Sequence, residues 1–155
     1  MAIYIPKIYL YITYVDNISM LYKRLPLARL LKGRLLKMGE LQDLAVIELS
    51  QNFDFILHGG TAVWRVYQGK RFSFDIDIYC ENTRDIARHF SSLEGVEVLK
   101  KKLTPSNVLY MRLKDVEEIE LEASLFFKKI KPVEKEFWLV DSGTIVVKTL
   151  SPEDI

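Results

Sequence analysis

Between Arg71 and Ile78 the chain alternates without interruption, "RFSFDIDI". At a period of two, Phe72, Phe74, Ile76 and Ile78 occupy one face of an extended segment, and Arg71, Ser73, Asp75 and Asp77 the other. The apolar set predicts a strand lying on a hydrophobic core. The polar set is less ordinary, because Asp75 and Asp77 stand one strand repeat apart, about 6.6 Å at ~3.3 Å per residue. Two carboxylates on one face repel unless a cation lies between them. Hard oxygen donors of this kind suit magnesium, which takes one or two carboxylates and completes its shell with water and substrate phosphates. A metal pair there could clamp an in-line phosphoryl displacement. The plainer alternative is a solvent-facing edge strand whose acids happen to alternate. Arg71 and Ser73 weigh against it, since each is a reasonable phosphate ligand.

Upstream, Gly59-Gly60 follows an apolar run and precedes "TAVWRVYQ", a short helix ended by Gly69. A strand-Gly-Gly-helix turn lets backbone N–H groups approach an anion, and the Thr61 hydroxyl could join them. A tight turn with no ligand is the alternative. A metal site would draw a third acid from a neighbouring strand. "EEIELEASL" places Glu118, Glu120 and Glu122 on one face, and Glu122 ends the acidic run where the apolar residues begin. Glu122 is therefore the candidate third ligand and proton acceptor, with Glu118 and Glu120 as solvated charges.

Composition narrows the class. With 155 residues, the chain has the length of one domain. Its 22 basic and 21 acidic residues leave a net charge of +1, which excludes a global bias towards nucleic acid. Cys80 is the single cysteine, so no internal disulfide forms and a reducing, cytoplasmic setting is expected. The most apolar run, Ile3 to Val15, is too short to span a bilayer and carries Pro6 and Lys7.

The organisation changes near Met38-Gly39. Residues 1–38 are aromatic and then basic, with Lys23, Arg24, Arg29, Lys32, Arg34 and Lys37 spread round a helical wheel interrupted by Pro26. They read as an N-terminal extension or helical arm, or as an RNA contact; Met20 and Met38 leave later starting points open. Residues 39–155 carry the domain. "ELQDLAVIELSQN" predicts a helix directing Leu41, Leu44, Ala45 and Leu49 to the core, "FDFIL" a strand, and "NTRDIARHFSSL" a helix capped by Asn82 or Thr83. Further strands are expected in "VEVLKKKL", "VLYMRL", "EEIELEASL", "EFWLV" and "TIVVKTL", with a hairpin turn at Asp141-Ser142-Gly143. "SPEDI" at the end has the pattern of a helix start.

The stretch "HGGTAVWRVYQGKRFSFDIDIY" resembles the signature of AbiEii-type abortive-infection toxins, within the DNA polymerase β-like nucleotidyltransferase superfamily. The match falls on Gly59, Gly60, Thr61, Ala62, Arg71, Phe72, Ser73, Asp75 and Asp77, and the likeness runs from about Glu40 to Ile155. It implies an α/β fold, a nucleotidyltransferase-like mixed β-sheet flanked by helices. It also implies roles: Gly59, Gly60 and Thr61 on the triphosphate of a nucleotide, with Asp75 and Asp77 on magnesium. Glu122, in Leu121-Glu122-Ala123-Ser124, stands where the family usually has Asp. Family members continue past a start like "SPEDI" into a helical half that lines the nucleotide, and this sequence stops there.

The expected activity is transfer of a nucleoside monophosphate from a nucleoside triphosphate to a hydroxyl. The resemblance suggests RNA, such as a tRNA end, as acceptor and a toxin–antitoxin context. A missing helical half implies self-association or a partner such as an antitoxin. Two rivals stand beside this reading: a non-catalytic nucleotide- or RNA-binding remnant, and an enzyme modifying a small molecule.

Overall fold

The computed structural model describes residues 27–125, 131–141 and 143–155. The aromatic run, Lys23 and Arg24, and Ser142 of the hairpin turn lie outside the described residues. A 3-10 turn, Leu27–Leu30, leads into α1, Gly33–Asn52. There follow β1 (Ile56–His58), α2 (Gly59–Arg65), β2 (Ile76–Tyr79), α3 (Thr83–Ser92), β3 (Glu97–Leu103), β4 (Leu109–Lys114), β5 (Glu118–Ser124), β6 (Val133–Trp138) and β7 (Thr144–Thr149). The seven described strands form one mixed sheet in the order β3-β4-β5-β2-β1-β7-β6. β1 runs antiparallel to β2 and parallel to β7, and β2 runs parallel to β5.

The sheet is apolar on one face, as the period-two pattern of its strands demands. Leu57, Ile78, Ala123 and Leu109 are paired in a row across four strands, and Ile76, Leu121 and Met111 form the next row. The three described α-helices lie on this face. Leu41, Ala45, Val46 and Leu49 from α1, Ala62 from α2, and Ile86, Ala87 and Phe90 from α3 close the core. The opposite face carries the alternating polar residues.

Three expectations are corrected here. The alternating segment is a strand only over Ile76–Tyr79. Before it, Phe72 and Phe74 turn to Trp64, with ring centroids 5.3 and 5.5 Å away; Phe74 packs in a second small core with Ala28, Leu31 and Trp64, while Phe72 stays exposed. The first helix starts at Gly33, and Gly39 lies buried within it. A Cβ at Gly39 would stand 2.7 Å from Leu31 and 2.9 Å from Val140, so this glycine admits close packing rather than breaking the helix. Leu44 faces solvent, and its expected place in the core is taken by Gln42 and Asp43.

Those two polar residues begin a buried network. Arg65, fully enclosed, pairs with the Asp43 carboxylate, donates to Gln42 Oε1 at 2.7 Å and to the Trp138 carbonyl at 3.0 Å, and lies 4.4 Å from the centre of the Phe137 ring. The second Asp43 oxygen accepts the Val140 N–H at 2.8 Å. Burial lowers the Arg65 guanidinium to about 9, which leaves it charged at neutral pH. Breaking a buried pair strands its partner's charge, at a cost of about 3–5 kcal/mol. Arg65→Met should therefore lose stability of that order in urea unfolding, and Asp43→Leu combined with Arg65→Met should recover much of it. A single variant as stable as wild type would show that the pair is not what joins α1, α2 and the β6–β7 hairpin.

Candidate active site

The polar face of the sheet places five residues in one transverse row. His58 is paired with Asp77, Asp77 with Glu122, Glu122 with Tyr110, and Tyr110 with Lys102. Neighbouring strands stand about 4.8 Å apart, so Asp77 is flanked by His58 on one side and Glu122 on the other. Asp75 precedes β2 by one residue. Asp75, Asp77 and Glu122 line one cavity of about 470 Å³, together with Lys100, Lys102, Thr104, Tyr110, Arg112 and Glu120.

The electrostatics of the cavity centre on Asp77. Burial, then the charge of Glu122 and then that of Asp75, raise its carboxyl from 3.8 to about 6. Like charges at this spacing favour a cation or a proton among them. Among the described residues, no three Asp, Glu, His or Cys side chains are grouped closely enough to hold an ion by themselves. For magnesium this is no obstacle, because one or two carboxylates with substrate phosphates suffice. The donor chemistry fits: three carboxylates around one cavity, with the Asp77 carboxyl raised by burial first and then by the charges of the other two.

The glycines are explained by close approach. Gly59 has φ +76, which favours glycine, and a Cβ there would stand 2.5 Å from Asp77 Oδ2. The Asp77 carboxylate thus rests against the Gly59 backbone. At Gly60 a Cβ would stand 2.8 Å from Ser73 Oγ. Both positions let the segment before β2 lie against the start of α2. The N–H groups of Gly59 and Gly60 fall in the first helical turn, where no intrahelical acceptor exists.

Thr61 departs from its expected role. Its side chain is fully buried, and its hydroxyl accepts from Gln42 Nε2 at 3.0 Å while pointing at the carbonyls of Ser73 and Asp75. It anchors the segment bearing Asp75 instead of offering itself to a phosphate. The Ser73 carbonyl also receives Trp64 Nε1 at 2.5 Å and Gln42 Nε2 at 3.3 Å. Ser73 is half-buried against Gly60, and Arg71 is exposed, apart from the residues that line the cavity. Glu118 and Glu120 are exposed as expected, and Glu120 pairs with Arg112 at 2.9 Å. Lys100, Lys102, Tyr110 and Arg112 were not foreseen as cavity residues. The available signal was the alternation within "LKKKL", which puts Lys100 and Lys102 on one face.

Strand order, the helix layer and the acid-bearing β2 and β5 together define a nucleotidyltransferase-like α/β fold. Two solved structures from Helicobacter pylori share it. JHP933 superposes with a TM-score of 0.51 at 19% identity, over 79% of this chain and 55% of its own. A candidate nucleotidyltransferase superposes with a TM-score of 0.52 at 20% identity, over 81% of this chain and 57% of its own. The chain thus spans little more than half the length of either neighbour. At such identities the likeness is one of fold. No protein-family model and no curated protein matches the sequence. Among the described residues, no helix is long and apolar enough to cross a membrane.

The raised Asp77 has a consequence for stability. Its native form holds a proton more tightly than its unfolded form, so its ionisation costs stability as pH rises from about 4 to about 6, and the full cost persists above. Without divalent cations, Asp77→Asn should melt higher than wild type at pH 7 and lose the wild-type gain on acidification through that window. Thermal melts of both proteins across the range check this. Equal pH slopes would show that Asp77 is not the group under electrostatic pressure.

Proposed function

We propose that this chain is the catalytic part of a magnesium-dependent nucleotidyltransferase, moving a nucleoside monophosphate from a nucleoside triphosphate to a hydroxyl acceptor. The observation that carries the reading is the register that sets Glu122 beside Asp77, with Asp75 at the same cavity. Asp75 and Asp77 would hold magnesium, which when bound neutralises charge on the phosphates. The N–H groups of Gly59 and Gly60, which have no intrahelical acceptor, would receive the outer phosphates with the Ser73 hydroxyl; Arg71 lies on the same segment. Glu122 would accept the proton of the attacking hydroxyl. The oxygen of that hydroxyl bonds to the α-phosphorus as the bond to pyrophosphate breaks, and pyrophosphate leaves with the electron pair. The fold shared with the candidate nucleotidyltransferase from H. pylori supports this chemistry. An AbiEii-type toxin role, with tRNA as acceptor and an antitoxin as partner, rests on the resemblance from Gly59 to Asp77.

Incubation with labelled nucleoside triphosphate, magnesium and either bulk tRNA or small hydroxyl compounds tests the proposal. Magnesium-dependent label transfer is expected, with Asp75→Asn inactive and Glu122→Gln slower by about 100-fold or more. Transfer unaffected by Asp75→Asn would overturn the assignment. Magnesium-dependent nucleotide binding without transfer to any acceptor would favour the non-catalytic remnant.

A further inference from the structure

The two outer strands of the described sheet, β3 and β6, carry opposite charges on the same face. Lys102 is paired with Tyr110 and Lys100 with Arg112, in line with Glu122 and Glu120, so both lysines stand on the open face. At the other edge Glu134 is paired with Lys148, Lys148 with Ile56, and Ile56 with Tyr79. Glu134 and, two residues on, Glu136 therefore stand on that open face too. All four charged side chains are exposed, and among the described residues none of them makes an ion pair. Lys148, opposite Glu134, is held instead by Asp54 at 2.8 Å. Each edge thus presents two like charges one strand repeat apart, about 6.6 Å. Beside them runs a row of backbone N–H and C=O groups that no described strand pairs.

Charge decides which strand can be added to which edge. Two copies of β3 about a two-fold axis set lysine against lysine, and two copies of β6 set glutamate against glutamate. Like charges directly opposite destabilise a strand pair, so both symmetric pairings are disfavoured. The β6 edge of one copy against the β3 edge of another does the reverse. Run parallel, Lys100 stands beside Glu134 and Lys102 beside Glu136; run antiparallel, the partners exchange and each lysine still meets a glutamate. Within the sheet β3 and β6 both point the same way as β2, so the parallel contact simply continues the sheet, with the helices of every copy on one side. On the helix side the same register brings Lys101 beside Lys135, both exposed, a like pair that opposes the contact. The ladder irregularity between Val98 and Lys100 confines regular pairing to the residues from Lys100 onward, so the contact is short and weak. It joins unlike edges, so every assembly ends in one open β3 and one open β6, and association does not stop at two copies. Lys100 and Lys102 also line the acidic cavity, so the neighbour's glutamates become part of its rim.

We infer that this chain associates with further copies of itself by adding the β6 edge of one to the β3 edge of the next, Lys100 and Lys102 against Glu134 and Glu136. The contact does not depend on the nucleotidyltransferase reading. Sedimentation velocity of the full chain across a dilution series tests it. Species beyond the dimer should grow with concentration and shrink with added salt. Lys100→Glu with Lys102→Glu, and separately Glu134→Lys with Glu136→Lys, should each weaken association by about tenfold or more, because two attractive pairs become repulsive. An equimolar mixture of the two double variants should associate again, since each then finds its opposite charge on the other. The variant carrying all four changes keeps the net charge of +1 and should match wild type. Lys135→Glu, which turns the like pair with Lys101 into an opposite one, should strengthen association, a gain that a damaged fold does not produce. A wild type that stays monomeric throughout, or that stops at a dimer, would overturn the inference. Association unchanged in both double variants would also overturn it, by assigning the contact to another surface. Loss in both with no recovery on mixing would do the same, as an effect of altered charge or folding rather than of matched edges.

Discussion

Arg65 is the residue on which the arrangement turns. A guanidinium with no exposure must have its hydrogens satisfied, and here the partners come from α1 and from the β6–β7 hairpin. Gln42 passes the connection on: its oxygen accepts from Arg65, its nitrogen donates to Thr61, and Thr61 reaches the carbonyls of Ser73 and Asp75. A chain of polar contacts thus runs from the hairpin to the backbone of a candidate metal ligand. Networks of this kind are stabilising only when complete. The position of Asp75 is therefore set from inside the helix layer, although its side chain faces solvent.

The same network explains what could and could not be read in the sequence. Strand periodicity in Ile76–Tyr79, in β4 and in β5 reports local burial, and local burial is what a period of two records. Arg71 to Asp75 has the same period and is not a strand; the Ser73 and Asp75 carbonyls are taken by Trp64, Gln42 and Thr61 side chains. Nothing within those five residues announces partners so distant in sequence. Thr61 misled for the same reason: beside two glycines its hydroxyl suits a phosphate, and only the fold reveals the buried glutamine that claims it. Gly39 was legible as a glycine but not as the floor beneath Leu31 and Val140. Glu122 stood out at the end of its acidic run, and the parallel ladder sets it opposite Asp77. Lys100 and Lys102 carried the clearest unread pattern.

In the assembled sheet, charge is sorted by strand. β2 and β5 carry the acids of the cavity, β3 carries its unpaired bases, and Tyr110 stands between. Of the charges lining the cavity, Arg112 and Glu120 pair with each other, while Lys100 and Lys102 stand apart from Asp77 and Glu122. A cation on one side and an anion on the other is the combination that phosphate chemistry brings to such a surface.

The place of β1 in the sheet has a consequence for synthesis. Residues up to Ser124 supply β3, β4, β5, β2 and β1, and β1 is then an outer strand. Its outer neighbour, β7, comes from Thr144–Thr149, joined by the Ile56–Lys148 and Leu57–Thr149 pairings and the Thr149 hydroxyl on the Leu57 carbonyl. While the ribosome makes the intervening residues, the backbone of Ile56 and Leu57 has no ladder on that side. A nascent chain in this state presents an open edge beside an apolar core, the condition under which one chain pairs with another. The interval ends when the β6–β7 hairpin docks, so the last strands to be made are the ones that cover the β1 edge.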